Sequence, residues 1–387
     1  MKVVIIGNGV AGISAAEAIR SKNSSAEIEI FTDEKYYHYS RPRIIEYLGK
    51  KIEKEKLIIK NKNFYEQNNI KINLETKISK IDCENKKIIL EDGKSVMYDK
   101  LIIAAGAYSF LPPVKGAGEK GVFTLRTIDD ADKIINFIKD KKTAVVIGGG
   151  LLGIEAGISI LNHGLEVIIV EFFERLLPRQ LDKDGAAILQ KMLENKGLKF
   201  LLGKQTEAIE KENEKLKTLF KDGMSLKCDM ILFSSGVRSN LGIVKDTKIE
   251  FDKGIKVNKN MQTNIQDIFA AGDVAEFNGI VYGIWTAAKE QGWAAGLNAI
   301  GENVEYTGSV FSTKLKVAGI ELASMGAIEA KQDVEVITKS NEKIFKRLFI
   351  QNKKIVGAIL LGDTKEYQNL QNIMKSNQIV ENPNSLI

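Results

Sequence analysis

Cysteine, histidine and proline are scarce in this sequence of 387 residues, which contains two, two and five of them respectively. Cys83 and Cys228 are far apart, so neither belongs to a Cys-x-x-Cys pair. The sequence therefore lacks the motifs of a redox-active dithiol, a zinc site or an iron–sulfur cluster. His38 and His163 are not clustered, and we assign neither to catalysis or to a metal. The low proline content argues against long disordered linkers.

Long hydrophobic runs are absent as well. No stretch reaches the ~18 consecutive apolar residues that a membrane-spanning helix needs. The apolar run Val3–Ile6 is interrupted at Gly7, which is too early for the hydrophobic core of a signal peptide. Because unpaired thiols are typical of a reducing compartment, we expect a cytoplasmic protein with no membrane partner.

Neither sign of charge dominates the sequence. The 56 basic and 50 acidic side chains leave a formal net charge of +6. So mild a charge favours a solvated lysine surface over a nucleic-acid interface, although it would suit a small acidic protein partner. The length predicts two or three domains.

Two glycine-rich turns, about 140 residues apart, are the most informative feature that is present. Each follows a short apolar run and opens onto a helix-like stretch, and an acidic residue lies about 20 residues further on. The glycines that define them are Gly7, Gly9 and Gly12 in the first turn and Gly148, Gly150 and Gly153 in the second. Such turns bind a pyrophosphate through backbone N–H groups at a helix N-terminus, unless they serve packing alone. Two of them predict two dinucleotides, and the usual reason to hold two is to pass electrons between them.

The residue pattern around the turns predicts local structure. Lys2–Ile6 and Glu27–Phe31 are expected as strands on either side of a helix at residues 11–20, which makes a βαβ unit. Met230–Phe233 is expected as a buried strand, and residues 182–196 as an amphipathic helix.

The acidic residue after each turn discriminates between cofactors. Glu171 ends an apolar run, where a carboxylate accepts hydrogen bonds from both ribose hydroxyls and repels a 2′-phosphate. The second site is therefore expected to prefer NADH to NADPH, and the alternative is an exposed charge at a strand end. Asp33 would play the same part at the first site, with Glu34 as the fallback.

Four further residues each admit two interpretations. Glu155, just after the second turn, either complements the helix dipole or points into the cleft between the two cofactors. Arg41 either offsets a pyrophosphate or is a surface arginine. Asp273 either holds a ribityl hydroxyl or caps a helix. Trp285 either covers a flavin edge or belongs to the core.

The order of these motifs resembles the FAD-dependent pyridine nucleotide-disulphide oxidoreductase superfamily over nearly the whole chain. Besides the two turns, the resemblance rests on Ala105-Gly106, Ser235-Gly236-Val237-Arg238 and residues 268–275. Within the superfamily, residues 39–43 and 179–182 look most like the NADH-rubredoxin reductases of anaerobic clostridia. Those proteins are related to nitrite reductase flavin domains and to the ferredoxin reductases of oxygenase systems.

The resemblance implies an α/β fold with two Rossmann-like dinucleotide-binding domains, as in glutathione reductase, and a small α+β C-terminal domain. It implies an FAD-binding domain at residues 1–108 and 229–306, an NADH-binding domain at 109–228, and a C-terminal interface domain at 307–387. The implied FAD contacts are Gly7, Gly9, Gly12, Asp33, Arg41, Ala105, Asp273 and Trp285. The implied NADH contacts are Gly148, Gly150, Gly153, Glu155, Glu171 and Gly236.

Three positions depart from the family pattern. Relatives that reduce ferredoxins have a lysine a few residues after Arg41-Pro42, where this chain has Glu46. The usual proline after Gly236 and Arg238 is replaced by Ser239, which would loosen that turn. No cysteine lies between residues 34 and 60. This excludes the glutathione reductase type and the cysteine-dependent NADH oxidase and coenzyme A disulphide reductase types.

The resemblance thus implies a flavoprotein that takes electrons from NADH through non-covalent FAD to a small acidic electron carrier such as rubredoxin. Because the cofactors carry the chemistry, no side-chain acid, nucleophile or metal is required. Two alternatives are enzymes: an NADH oxidase, or a ferredoxin or nitrite reductase flavoprotein component. The third is a cofactor-binding redox sensor without catalysis, since a fold does not determine a function.

Overall fold

The computed structural model describes residues 1–309, 314–329 and 333–387, and the chain forms two compact units. The first unit comprises Met1–Arg43, Glu53–Ser109 and Val237–Val310. The second comprises Ile44–Ile52, Phe110–Gly236 and Phe311–Ile387. Each contains a five-stranded parallel sheet with helices, which confirms the expected α/β class.

The strands follow one another in chain order. They are Lys2–Ile6 (β1), Glu27–Phe31 (β2), Ile70–Asn73 (β3), Ile78–Asp82 (β4), Lys87–Leu90 (β5), Ser95–Met97 (β6), Lys100–Ile103 (β7), Ala107–Ser109 (β8), Val122–Thr124 (β9), Thr143–Ile147 (β10), Glu166–Val170 (β11), Leu198–Leu201 (β12), Thr206–Glu212 (β13), Lys215–Phe220 (β14), Ser225–Cys228 (β15), Met230–Phe233 (β16), Val237–Ser239 (β17), Ile255–Val257 (β18), Ile268–Ala270 (β19), Ala275–Phe277 (β20), Lys314–Val317 (β21), Ile320–Gly326 (β22), Glu335–Ser340 (β23), Phe345–Gln351 (β24) and Lys354–Leu361 (β25). The α-helices are Val10–Lys22 (α1), Ile44–Leu48 (α2), Lys62–Gln67 (α3), Ile128–Phe137 (α4), Leu151–Leu161 (α5), Lys183–Glu194 (α6), Trp285–Ala299 (α7) and Tyr367–Ser376 (α8).

The first unit is built on a parallel sheet in the order β19-β7-β1-β2-β3. Its central strand β1 is almost entirely apolar and buried, as expected for a strand covered on both faces. Helices α1 and α7 pack very closely, because Gly292 and Gly296 of α7 lie against the backbone of Ala11 and Ala15. A side chain at either glycine would overlap that backbone, so the two helices require glycine to approach this far.

The second unit contains a parallel sheet in the order β12-β11-β10-β16-β9. The expected strand Met230–Phe233 is β16, and it pairs with β10. Residues 229–236 and 44–52, which the sequence-based division assigned to the FAD-binding domain, thus lie in the second unit. Helix α2 is joined to α5 by a hydrogen bond of 2.9 Å from Ser159 Oγ to the Ile45 carbonyl oxygen.

The C-terminal part of the second unit is an antiparallel sheet in the order β21-β22-β25-β24-β23, with α8 packed on β25. Leu348, Leu360 and Leu370 belong to its buried cluster. Arg347 of β24 forms ion pairs with Asp182 and Asp184 at the start of α6. The C-terminal sheet is therefore attached to the parallel-sheet part of the same unit by charge as well as by apolar contact.

Candidate functional site

The first glycine-rich turn leaves one position open. Gly7 has a φ of +107°, and a Cβ there would overlap the Ala104 carbonyl oxygen. A Cβ at Gly12 would overlap the carbonyl oxygen of Gly7. A Cβ at Gly9, by contrast, would meet no atom of the described chain within 4 Å. Packing explains the outer two glycines, and the space beside Gly9 is what a backbone that approaches a pyrophosphate provides.

The second turn repeats this arrangement. Gly148 has a φ of +120°, and a Cβ there would overlap the Ser234 carbonyl oxygen. A Cβ at Gly153 would overlap the Gly148 carbonyl oxygen, whereas one at Gly150 would meet nothing within 4 Å among the described atoms. The same combination of two packed glycines and one open glycine, at the N-terminus of a helix in both units, fits two dinucleotide sites.

A cleft in the first unit begins beside Gly9. Its lining consists of the glycine-rich turn, the end of β2 and the aromatic segment that follows: Asn8, Gly9, Thr32, Glu34, Tyr36, Tyr37, Tyr39 and Arg41. Glu34 accepts a hydrogen bond from the Tyr39 hydroxyl (2.5 Å) and forms an ion pair with Arg41. Asp33 is exposed and is not part of this lining, so the structure brings Glu34 into the cleft.

The Arg41 guanidinium interacts electrostatically with the Asp273 carboxylate in the first unit. Burial lowers the pKa of the Arg41 guanidinium, but the side chains of Tyr39, Glu34 and Asp273 outweigh it and raise that pKa above its ordinary value. Arg41 also donates to the Tyr39 hydroxyl at 2.9 Å and lies over its ring. Arg41 is thus held as a cation at the cleft. An anionic ligand bound there would replace the carboxylates of Glu34 and Asp273 as the partner of this guanidinium.

His38 supports the first turn, a role that no sequence pattern indicated. It is buried, and its Nδ1 lies 3.0 Å from the Asn8 carbonyl oxygen. Since a carbonyl oxygen only accepts, Nδ1 carries the proton of a neutral ring. Burial lowers the pKa of His38 to about 4, which agrees with a neutral ring at pH 7. The ring also lies 5.9 Å from that of Trp285, the first residue of α7.

Asn8 offers a donor to a ligand. Its side-chain Oδ1 accepts from the Tyr65 hydroxyl at 2.8 Å. Its Nδ2 is buried and has no hydrogen-bond partner in the described part of the chain. Buried donors are rarely left unpaired in native proteins, so an acceptor oxygen of a bound dinucleotide fits this position.

Ala105 and Asp273 are hydrogen-bonded to two adjacent residues, Asn240 and Ser239, at the end of β17. The Ala105 carbonyl oxygen accepts from Asn240 Nδ2 at 2.7 Å, and the Asp273 carbonyl oxygen accepts from Ser239 Oγ at 2.8 Å. Ser239 is buried. Ser239, which stands where the family has a proline, thus makes a side-chain hydrogen bond that a proline could not make.

Glu171 lies directly beside the second turn. Its carboxylate is buried and accepts from the backbone N–H groups of Gly149 and Phe173, the latter at 2.9 Å. A carboxylate fixed between the glycine-rich turn and the end of β11 has the placement that a ribose diol requires.

Glu155 makes a contact that neither sequence-based interpretation included. Its Oε1 accepts from the backbone N–H of Ala318 at 2.7 Å. Ala318 has a φ of +51° and lies in the turn between β21 and β22.

Gly236, the last predicted NADH contact, has a φ of +86°. Its carbonyl oxygen accepts a hydrogen bond from the backbone N–H of Phe110 at 2.9 Å.

Both cysteines are free thiols, and neither has the environment of a reactive one. Burial raises the pKa of Cys228 to about 12. Burial raises the pKa of Cys83 as well, and the nearby charge of Asp82 adds to that effect.

Glu46 lies on α2 in the second unit. In the part of the chain that the structure describes, no group of three or more His, Cys, Asp or Glu residues could hold a metal. Within that part, no helix is long and apolar enough to cross a bilayer.

The chain is similar to known proteins over its full length. It is 36% identical over 385 residues to an NADH-rubredoxin oxidoreductase of Clostridium acetobutylicum, covering 100% of this chain and 97% of that one. It is 37% identical over 369 residues to a nitrite reductase [NAD(P)H] of Bacillus subtilis, covering 94% of this chain but only 46% of that protein. It thus spans about half the length of the nitrite reductase.

A solved structure and two family models agree with these relatives. The crystal structure of NADH:rubredoxin oxidoreductase from Clostridium acetobutylicum superposes with a TM-score of 0.85 at 34% identity, over 99% of this chain and 97% of that one. Residues 312–378 match the rubredoxin NAD+ reductase C-terminal domain. Residues 1–292 match the model of the pyridine nucleotide-disulphide oxidoreductases. The chain belongs to the pyridine nucleotide-disulphide oxidoreductase family.

Proposed function

We propose that this protein is an FAD-dependent NADH oxidoreductase that passes electrons to a small acidic carrier protein, rubredoxin in the first place. The observation that carries the proposal is the repeated glycine-rich turn with an open middle glycine in each unit. Members of the family use FAD with NADH as substrate. When bound, the flavin accepts a hydride from the nicotinamide and releases electrons to one-electron carriers.

The first unit would hold FAD without a covalent bond. Gly9 and the Asn8 amide would face the pyrophosphate, with Gly7 and Gly12 shaping the turn and Arg41 offsetting the charge. Glu34 is our choice for the ribose hydroxyls, since it lines the cleft and Asp33 is exposed. The remaining proposed FAD contacts are Ala105, Asp273 and Trp285.

The second unit would hold NADH. The turn from Gly148 to Gly153 would bind its pyrophosphate, with the closest approach at Gly150. Glu171 would accept hydrogen bonds from the adenosine ribose and exclude a 2′-phosphate. Glu155 and Gly236 would lie toward the nicotinamide half.

The acceptor is proposed to be external because the chain's own thiols are poor redox groups. Both cysteines have raised pKa values and are unpaired. The C-terminal match to a rubredoxin NAD+ reductase domain supports rubredoxin as the carrier.

The division into three domains and the cytoplasmic location are also proposals. In that division we count β16 in the NADH-binding domain, because it pairs with β10.

The test is anaerobic NADH oxidation by the FAD-loaded protein, with and without oxidised rubredoxin. We expect little turnover without the carrier and turnover that saturates with it. A rate that is unchanged by rubredoxin would refute the choice of acceptor. An equal rate with oxygen alone would favour an NADH oxidase, and slow reduction of the flavin by NADH, with or without an acceptor, would favour a sensor.

A further inference from the structure

Asp273 stands out within a buried stretch of the first unit. From Ile268 to Phe277 every other residue is buried, and Asp273 alone is partly exposed. The preceding residue, Gly272, has a φ of +81°, and a Cβ there would meet the Ala11 Cβ at 2.9 Å. The backbone then turns, and Ala275 N donates to the Gly272 carbonyl oxygen at 2.9 Å. The turn at residues 272–275 therefore presents a single residue, Asp273, to the outside of a packed segment.

Asp273 does not cap a helix, which was one of its two interpretations. The next helix in the chain, α7, begins at Trp285 and has Ile284 as its N-cap. Asp273 does act electrostatically on Arg41, which lines the cleft beside the first glycine-rich turn. The other interpretation, a contact to a ribityl hydroxyl, is the one that the proposed function uses.

Two buried side chains hold the backbone on either side of the Asp273 side chain. Gln291 of α7 is 1% exposed, and its Oε1 accepts from the backbone N–H of Gly272 at 2.9 Å. Ser239 lies at the end of β17 and is buried, and its Oγ donates to the Asp273 carbonyl oxygen at 2.8 Å. One bond thus fixes the backbone just before Asp273, and the other fixes it just after the Cα atom of that residue. Together they set the direction in which the Asp273 side chain leaves the turn.

We propose that Ser239 and Gln291 are positioning residues that place the Asp273 carboxylate for the ribityl chain of FAD, an inference that rests on the proposed function. Neither side chain needs to touch the flavin, because each binds the backbone of the turn. A carboxylate on a fixed backbone loses little conformational freedom when it binds, and freedom lost on binding is subtracted from affinity. The family has a proline at the position of Ser239, and proline has no hydroxyl to donate. The serine half of this support is therefore a feature of this chain.

The experiment measures the Kd of FAD for the apoprotein by quenching of flavin fluorescence. Ser239→Ala removes the donor, and Gln291→Met removes the acceptor at nearly constant side-chain volume. We expect each substitution to raise the Kd by about two- to tenfold, the effect of one lost hydrogen bond. Ser239→Thr keeps a hydroxyl and should restore the wild-type Kd.

Asn298→Ala is the matched control for Gln291→Met. Asn298 is a buried amide of the same helix, but its Nδ2 donates to the carbonyl oxygens of Asn260 and Val304, outside the turn that carries Asp273. The substitution should lower the melting temperature, because it leaves these acceptors unpaired, and should leave the Kd of FAD unchanged.

A double-mutant cycle separates positioning from plain stability. A residue that acts through Asp273 has no effect once the carboxylate is gone, so neither Ser239→Ala nor Gln291→Met should raise the Kd further in an Asp273→Ala protein. If Gln291→Met does not fold, the cycle with Ser239→Ala is sufficient. An increase of equal size in both backgrounds, or a Kd that neither single substitution changes, would overturn the proposal.

The proposed function fails by different results. A wild type that binds no FAD would refute it together with this inference. A wild type that binds FAD but is not reduced by NADH would refute the proposed function alone, because the cycle depends only on binding.

Discussion

Replacing Gly9 by alanine should weaken FAD binding at the first turn by about tenfold or more while leaving the protein folded. Gly9 has φ −76° and ψ −174°, an extended conformation that alanine adopts freely. An added methyl group would meet no described atom within 4 Å. The substitution should therefore leave the free energy of unfolding unchanged or raise it by about 0.4–1 kcal/mol, because alanine restricts the unfolded chain.

The effect on FAD follows from the same geometry. The methyl group would occupy the space through which a pyrophosphate oxygen reaches the backbone N–H groups. A hydrogen bond to a charged group contributes about 1.5–3 kcal/mol. Loss of one such bond weakens binding by about 10- to 150-fold, and loss of two by the product of the two factors.

The assay is the FAD Kd, from quenching of flavin fluorescence, measured beside the melting temperature of the apoprotein. Gly12→Ala is the matched control, because its Cβ would overlap the Gly7 carbonyl oxygen. It should lower the melting temperature, since overpacking of this kind costs about 1–3 kcal/mol. A Gly9→Ala protein that binds FAD as tightly as the wild type would refute the assignment of this turn to the pyrophosphate.

Three further predictions concern other parts of the molecule. Glu171→Ala should shift the ratio of kcat/KM for NADH over NADPH toward NADPH by about 1–3 kcal/mol. Glu174 is an exposed neighbour of equal charge, and Glu174→Ala should leave the ratio unchanged. An unchanged ratio in Glu171→Ala would mean that Glu171 has a structural role only. Burial lowers the pKa of His38 from 6.5 to about 4, so the stability that its neutral ring contributes is complete above pH 6.5 and is lost as the pH falls toward 4. Urea unfolding should show the free energy of unfolding falling by roughly 3 kcal/mol across that window. His38→Gln should make this pH dependence smaller. Gly292→Ala should lower the melting temperature although alanine favours helices, because its Cβ would overlap the backbone of Ala11; an unchanged value would mean that α7 can move away from α1 at little cost.

The elements next to the two turns were predictable because the information is local. Strands Lys2–Ile6, Glu27–Phe31 and Met230–Phe233 are confirmed, and the helix expected at residues 182–196 is α6, Lys183–Glu194. Continuous apolar runs between glycine-rich turns leave little choice for a buried parallel strand. The G-x-G-x-x-G spacing likewise fixes which glycines must pack and which stays open.

The parts that sequence reasoning missed depend on contacts between residues far apart in the chain. The bond from Ala318 to Glu155 spans 163 positions, and that from Tyr65 to Asn8 spans 57. Neither pair has a local pattern that would reveal it. The choice between Asp33 and Glu34 could not be made from the sequence for another reason. Both residues lie in the bend that follows β2, so no strand periodicity shows which of them faces the turn.

We propose above that this chain binds FAD and that NADH reduces it. The most direct measurement is anaerobic titration of the purified, FAD-reconstituted protein with NADH, followed by oxidised rubredoxin, while the visible absorbance of the flavin is recorded. We expect stoichiometric NADH to bleach the flavin and rubredoxin to restore its colour. A protein that takes up no flavin, or a bound flavin that NADH does not bleach, would contradict it.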